Sequence, residues 1–496
     1  MGFKEDEDFA RYLTMGAHGT VALKSDLERR GHRIIELERY SMGNKVWSVK
    51  VKRLRIPDLV CVRCGRRFES KAKSKLELKL SHSATVGREW HAGGMRDEDV
   101  FGFIRIVLEG GIRAGKPLYV TRKALWDALG SVKEGTRKAI SAGSEADVSW
   151  PIWVPGYAGC LLSIMPMDGE GNVTVQRSNG GTRTYKRNKM WTQVHAYLQP
   201  GEPFEAASTA VAGSVAPADV SCAGDIWDWG SDLASASSGD RYAAVKSCYV
   251  RSRIDVDAVV REIARNCDED WRVRLEAIGV LASRDEDSWV PMLRGTATDV
   301  LLPPEQQIES VFLLTELASL GVEAAAEALY EVAVPNADRK DEVRAAAVWG
   351  LGLGAATSRS RVVDFFADAD DRVALHAASS LANNLPTDVL KSLQRWMVED
   401  HGERRAAVAA SVLARHGQIQ SLLDVVETSD SLGSKLALRA LGDLSPSQVK
   451  RGAGREIPVE TLRILEVVWA QHHDWLRHPE NLGALDILDK QQIRFS

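Results

Sequence analysis

The stretch Arg55-Ile56-Pro57-Asp58-Leu59-Val60-Cys61-Val62-Arg63-Cys64-Gly65-Arg66-Arg67-Phe68-Glu69-Ser70-Lys71-Ala72-Lys73 decides how the first part of this chain is read. Apolar residues alternate on both sides of Cys64-Gly65, which predicts two strands, Asp58–Val62 and Arg66–Lys73, joined by a two-residue turn. Side chains two apart share a strand face, so Glu69, Lys71 and Lys73 project together, and this turn sets Asp58 across from Lys71 with Glu69 on the adjacent diagonal. Two carboxylates beside a lysine suit metal-assisted phosphodiester hydrolysis. The acids hold Mg²⁺ or Mn²⁺, the ion neutralises the phosphate and acidifies a bound water, and the lysine orients or stabilises that nucleophile.

Outward from the hairpin the texture stays that of a small α/β domain over residues 1–145. Residues 18–30 read as an amphipathic helix stopped by Gly31, and strands follow at 32–40, 46–54, 99–108 and 118–121, with a helix at 122–129. This region carries 29 basic and 19 acidic side chains, whereas residues 207–496 carry 30 and 44, an imbalance hidden under a net charge of -4. A basic domain on an acidic body points to a polyanionic partner, most simply DNA, with Lys73, Arg66 and Arg67 as the hairpin's basic contacts.

Here the chain resembles the restriction-endonuclease-like superfamily, whose Pro-Asp, variable gap and Glu-X-Lys are matched by Pro57-Asp58 and Glu69-Ser70-Lys71 over roughly the first 75 to 125 residues. The resemblance implies a Mg²⁺-dependent endodeoxyribonuclease with Asp58 and Glu69 as metal ligands, the Ser70 carbonyl as a further ligand, and Lys71 as the catalytic lysine. By analogy it implies prokaryotic defence against foreign DNA, including phage. Ala22 stands where many members carry a metal-facing Glu on the first helix; Asp26 and Glu28 are the carboxylates nearest to it.

Cys61-X-X-Cys64 around Gly65 has the spacing of a half zinc site, for which His82 and His91 are the nearest candidate partners; the alternative is a pair of reduced hairpin cysteines. No glycine-rich phosphate loop is present, since Gly110–Lys116 lacks the spacing and the following Ser or Thr.

Residues 148–210 contain short alternating runs between Gly and Asn turns, which predicts a small antiparallel, SH3-like β-barrel. Residues 211–237, rich in Ala, Ser and Gly, read as a linker. From 238 to 496 seven nine-residue cores, beginning at Arg241, Val273, Glu309, Val343, Val373, Arg405 and Leu436, recur at the spacing of stacked helix pairs and resemble HEAT-like repeats. Such an array would recruit a protein partner, and the linker would leave the two halves separable. The expected architecture is therefore multidomain: α/β, small β-barrel, all-α solenoid. With no apolar run long enough for a membrane span and no leader-like segment, the expectation is a cytoplasmic protein. The non-enzymatic alternative is a HEAT-repeat scaffold or adaptor whose first domain is a degenerate nuclease or a zinc-stabilised module.

Overall fold

In the computed structural model the described residues are chiefly 7–37, 56–82, 95–108, 112–129, 133–134, 146–186, 195–196, 199–250 and 257–470, apart from a few short gaps. The expected strand at 46–54 falls almost wholly outside them.

Helix α1 (Glu7–Arg29) is longer than its apolar pattern suggested. It ends where Gly31 takes φ +87, with Gly31 N–H donating to the Glu28 carbonyl and His32 N–H to that of Leu27. This double bond pattern is a left-handed glycine stop, and it fixes the backbone of His32. Strands β1 (Ile34–Glu36), β2 (Leu59–Cys61) and β3 (Arg67–Lys73) follow as an antiparallel meander. After β4 (Leu78–His82), strand β5 (Val100–Val107) pairs parallel to β3. Strands β6 (Arg113–Ala114) and β7 (Leu118–Thr121) flank β5, and α2 (Arg122–Asp127) is capped by the Thr121 hydroxyl.

Alternation divides this sheet into two faces. Leu23 and Leu27 of α1 pack on Leu59, Phe68 and Val100. A Cβ on Gly102 would lie 2.5 Å from Leu23, and one on Gly19 would lie 2.5 Å from Ala72, so both glycines let helix and sheet close together. The opposite face is covered twice. Phe101 and Phe103 lie under Leu78, Leu80, Val148 and Trp150, while Ile35, Val60 and Val62 share a core with Tyr242, Ala243 and Val245 from the helical region.

Strands β8 (Lys133–Glu134) and β9 (Ala146–Trp150) complete a three-stranded sheet with β4, so the boundary expected at 145–148 cuts through one sheet. The following strands are β10 (Ile152–Trp153), β11 (Leu161–Ile164), β12 (Val173–Arg177), β13 (Thr182–Tyr185), β14 (His195–Ala196), β15 (Pro203–Glu205) and β16 (Val211–Ala212). They form a four-stranded sheet in the order β13-β12-β11-β15 and a three-stranded one in the order β10-β16-β14. Among the described strands these two antiparallel sheets share no ladder, so the expected single closed barrel is not seen.

Residues 215–237 are not a free linker. Ala218 N–H donates to the Tyr119 carbonyl, Ile226 and Trp227 N–H both donate to the Arg63 carbonyl, and the Trp227 indole donates to Asp232. The segment is a strap lying along the sheet, closed by a short helix at Trp229–Leu233. Small residues that look flexible in sequence are those that lie flat against a neighbouring backbone.

All seven repeat cores fall on helices, at Ser238–Ser247, Trp271–Ala282, Pro304–Ser319, Asp341–Leu353, Asp371–Ser380, Glu403–Arg415 and Leu432–Gly442. Shorter or more exposed helices alternate with them, so the chain runs as a continuous C-terminal helical stretch. The central helices are buried nearly all round, with Val343, Ala345, Ala346, Ala347 and Val348 each fully buried. Helices approach closely at Gly350 against Thr315 and Gly352 against Ser380. No helix among the described residues is long and apolar enough to cross a membrane.

Candidate functional site

Between β2 and β3 the hairpin loop of Val62–Gly65 is closed by Cys61 and Arg66. Gly65 N–H donates to the Cys61 carbonyl at 2.8 Å, and Cys61 N–H donates to that of Arg66 at 2.9 Å. Gly65 has φ +75, which the turn requires. The register is therefore Leu59 opposite Phe68 and Val60 opposite Arg67, two residues away from that of a two-residue turn. A slip of two keeps every side chain on its own face. Asp58, Glu69 and Lys71 still share a face, with Asp58 now nearest Glu69.

Contacts within the group follow from that register. Ser70 N–H donates to Asp58 Oδ2 at 2.7 Å, which holds the carboxylate against β3. Lys71 Nζ pairs with Glu69 Oε1. The Glu69 and Lys71 side chains remain 18% and 31% exposed, so the row stays open to solvent. It lies on the strip of sheet between the helices covering Val60 and Val62 and the β4–β9 layer covering Phe101 and Phe103.

Helix α1 packs on the other face, against Phe68 and Ala72. Ala22 is part of that apolar contact. Asp26 is committed elsewhere: Arg30 and Arg29 donate to it at 2.8 and 2.9 Å, and the Tyr119 hydroxyl at 2.8 Å. Burial alone would raise its pKa, but these donors outweigh burial and hold it below the ordinary carboxylate value. Asp26 therefore does not supply the carboxylate that Ala22 lacks, and Glu28 is exposed and pairs with Lys24 at 3.9 Å.

One of the three expected DNA contacts, Arg67, is corrected by the structure. Arg67 is buried, donates to both oxygens of Asp99 at 2.8 and 2.6 Å, and reaches Asp240 at 2.8 Å. It ties the sheet to the first array helix. Arg66 donates to the Asp219 carbonyl of the strap. Lys73, on the Glu69–Lys71 face, is half-buried.

Cys61 and Cys64 do come together, but their company differs from the expected one. His82 closes β4 with its backbone paired to Ala146, and its side chain and all of His91 lie outside the described residues. The groups beside the two thiols are His32, which follows the α1 stop, and Cys222, from the strap. Cys61 Sγ lies 4.0 Å from Cys222 Sγ, and Cys64 Sγ lies 3.7 Å from His32 Nδ1. The Cys64 thiol lowers the pKa of Cys61, helped by His32 and backbone N–H groups, and Cys64 is raised in turn.

No known protein family matches the chain, and no curated protein matches it. Among solved structures the chain is similar to YibA of E. coli at 14% identity, over 53% of this chain and 92% of that one, with a TM-score of 0.29. A likeness at that score carries no argument.

Proposed function

We propose that the chain is a Mg²⁺- or Mn²⁺-dependent DNA endonuclease of the restriction-endonuclease-like kind, followed by HEAT-like repeats that receive a protein partner. The observation that carries this reading is the bond from Ser70 N–H to Asp58 Oδ2 at 2.7 Å, which sets Asp58 against the β3 row of Glu69 and Lys71 on an open strip of sheet. The helix, the antiparallel meander β1-β2-β3 and the parallel β5 give that row the backbone context that the motif calls for.

The donor set fits a hard cation: two carboxylates and the Ser70 carbonyl are oxygen ligands of the type Mg²⁺ prefers. When bound, the ion would neutralise phosphate charge and acidify a water. Asp58 and Glu69 would hold it, Ser70 N–H keeps Asp58 oriented, and Lys71 exchanges Glu69 for the attacking oxygen or the phosphate. Its ammonium then stabilises charge that develops in the transition state.

The non-catalytic scaffold draws on a different observation. Arg67 is spent inside the fold and Lys71 pairs with Glu69, which reduces the basic surface left for DNA. Purified protein incubated with DNA and RNA panels in Mg²⁺, Mn²⁺ or EDTA separates the two. Metal-dependent cleavage lost in each of Asp58→Ala, Glu69→Ala and Lys71→Ala, with folding intact, supports the nuclease. Lys73→Ala should weaken binding and flatten its salt dependence without abolishing cleavage. No cleavage under any of these conditions, with the natural partner present, leaves the scaffold.

A further inference from the structure

We infer that His32, Cys61, Cys64 and Cys222 form a Cys₃His zinc site that clamps the strap onto the hairpin. The four ligand atoms all lie within 4.8 Å of one another. A tetrahedral zinc with Zn–S of about 2.3 Å and Zn–N of about 2.0 Å separates its ligands by roughly 3.8 Å for S···S and 3.5 Å for S···N. The separations of 4.0 Å for Cys61–Cys222 and 3.7 Å for Cys64–His32 need only small closure onto an ion.

The surroundings are those of a built site. His32 Nε2–H donates to the Val220 carbonyl at 2.8 Å, which turns Nδ1 toward the thiols. Such an outer hydrogen bond is what fixes the tautomer and ring plane of a ligating histidine. Val220 stands two residues before Cys222, so the strap that brings the last ligand also orients the first. Phe68 packs edge-to-face with the imidazole at 5.1 Å between centroids, and the glycine stop of α1 sets the His32 backbone.

The position explains what such an ion does. Its ligands come from the segment between α1 and β1 and from the hairpin, which the β1–β2 ladder already joins, and from the strap, which no described sheet ladder ties to them. Around it Arg63 donates to Asp225 and to the Gly31 carbonyl, and Trp227 lies against Gly65, so close that a Cβ there would sit 2.5 Å from the indole. Three thiolates and an imidazole select zinc over Mg²⁺, whose ligands are oxygens. This centre is therefore chemically separate from the Asp58–Glu69 pair, and Cys61 faces away from that pair on β2. The inference does not rest on the nuclease reading, because its test involves no cleavage.

Full-length protein purified without chelator should contain one zinc per chain by elemental analysis. Cys222→Ser and Cys64→Ser should each fall well below stoichiometric zinc while circular dichroism still reports the helical array. His82→Ala should keep a full complement. After cobalt exchange, the thiolate-to-metal charge-transfer intensity per bound cobalt should drop by about one third in Cys222→Ser, because one of three thiolates is gone. A folded chain without zinc, iron in its place, undiminished zinc in Cys222→Ser, or loss of zinc in His82→Ala would each overturn the assignment.

Discussion

Arg67→Met tests whether the sheet and the helical array are one structure. In the native chain the guanidinium makes two hydrogen bonds to Asp99 and one to Asp240, and the Arg67 and Asp99 side chains are each only 2% exposed. Methionine replaces the alkyl stem, so what is lost is the charge and its bonds to Asp99 and Asp240. Removing one partner of a buried ion pair costs about 3–5 kcal/mol. Arg96 moderates this, since its N–H still donates to Asp99 at 2.7 Å and its side chain pairs with Asp240 at 2.9 Å. The lower end, about 3 kcal/mol, is therefore expected. With a urea slope of about 1–3 kcal/mol/M, the first unfolding transition should move down by roughly 1–3 M. Tryptophan fluorescence and far-ultraviolet circular dichroism should be followed together, because a chain of this size need not unfold in one step. In the double variant with Asp99→Asn the cost should be less than additive, since the two residues share one interaction. A transition unmoved within about 0.3 M, accompanied by weakened DNA binding, would refute the reasoning and return Arg67 to the surface.

Two further outcomes follow from burial. His376 sits inside the array, where burial, with the Arg372 charge adding, pushes its pKa down to about 4. It is neutral when folded and takes up a proton when unfolded, so its contribution is complete above about pH 6.5 and is lost as pH falls toward 4, by roughly 1.4 kcal/mol per unit. Thermal midpoints measured from pH 7.5 to 4.5 should fall less steeply in His376→Leu; parallel curves would contradict this. Residues 238–496 expressed alone should be helical but destabilised and should bind a hydrophobic dye, because Tyr242, Ala243 and Val245 lose their cover from Ile35, Val60 and Val62. A fragment as stable as the same helices in the full chain would show that this shared core contributes nothing.

What was legible in the sequence follows period and locality. The seven repeat cores were readable because their small residues recur every 30 to 36 positions, and each falls on a helix. The shared face of Asp58, Glu69 and Lys71 was readable although the turn was sized wrongly. Cys64-Gly65 looks like a two-residue turn, yet the observed loop differs by an even shift that side-chain alternation cannot detect. His32 carried a weak signal, since β1 pairs with β2 through Ile34 and Cys61 and so brings the preceding residues toward the turn. Cys222 carried none: it lies 161 residues from Cys61 in a run of Ala, Ser and Gly. Nor does composition tell a pinned strap from a spacer that is free, because residues 218–227 are held largely through their backbone N–H and carbonyl groups, which every sequence has. Arg67 was misread for the opposite reason: its neighbours Arg66 and Lys71 made it look like part of a basic surface, and its partners Asp99 and Asp240 are distant in sequence.

The strap also imposes an order on the birth of the molecule. A ribosome delivering about 5–20 residues per second needs roughly 8 to 30 s to travel the 161 residues from Cys61 to Cys222. For that interval the nascent sheet has its helix and its hairpin but lacks the segment that seals the turn and the helix that answers Arg67. Its two hairpin thiols are left to whatever the surrounding redox chemistry and metal supply offer. The framework around the hairpin is thus complete only after nearly half the polypeptide has emerged, which places a built-in delay between translating the hairpin and sealing its turn.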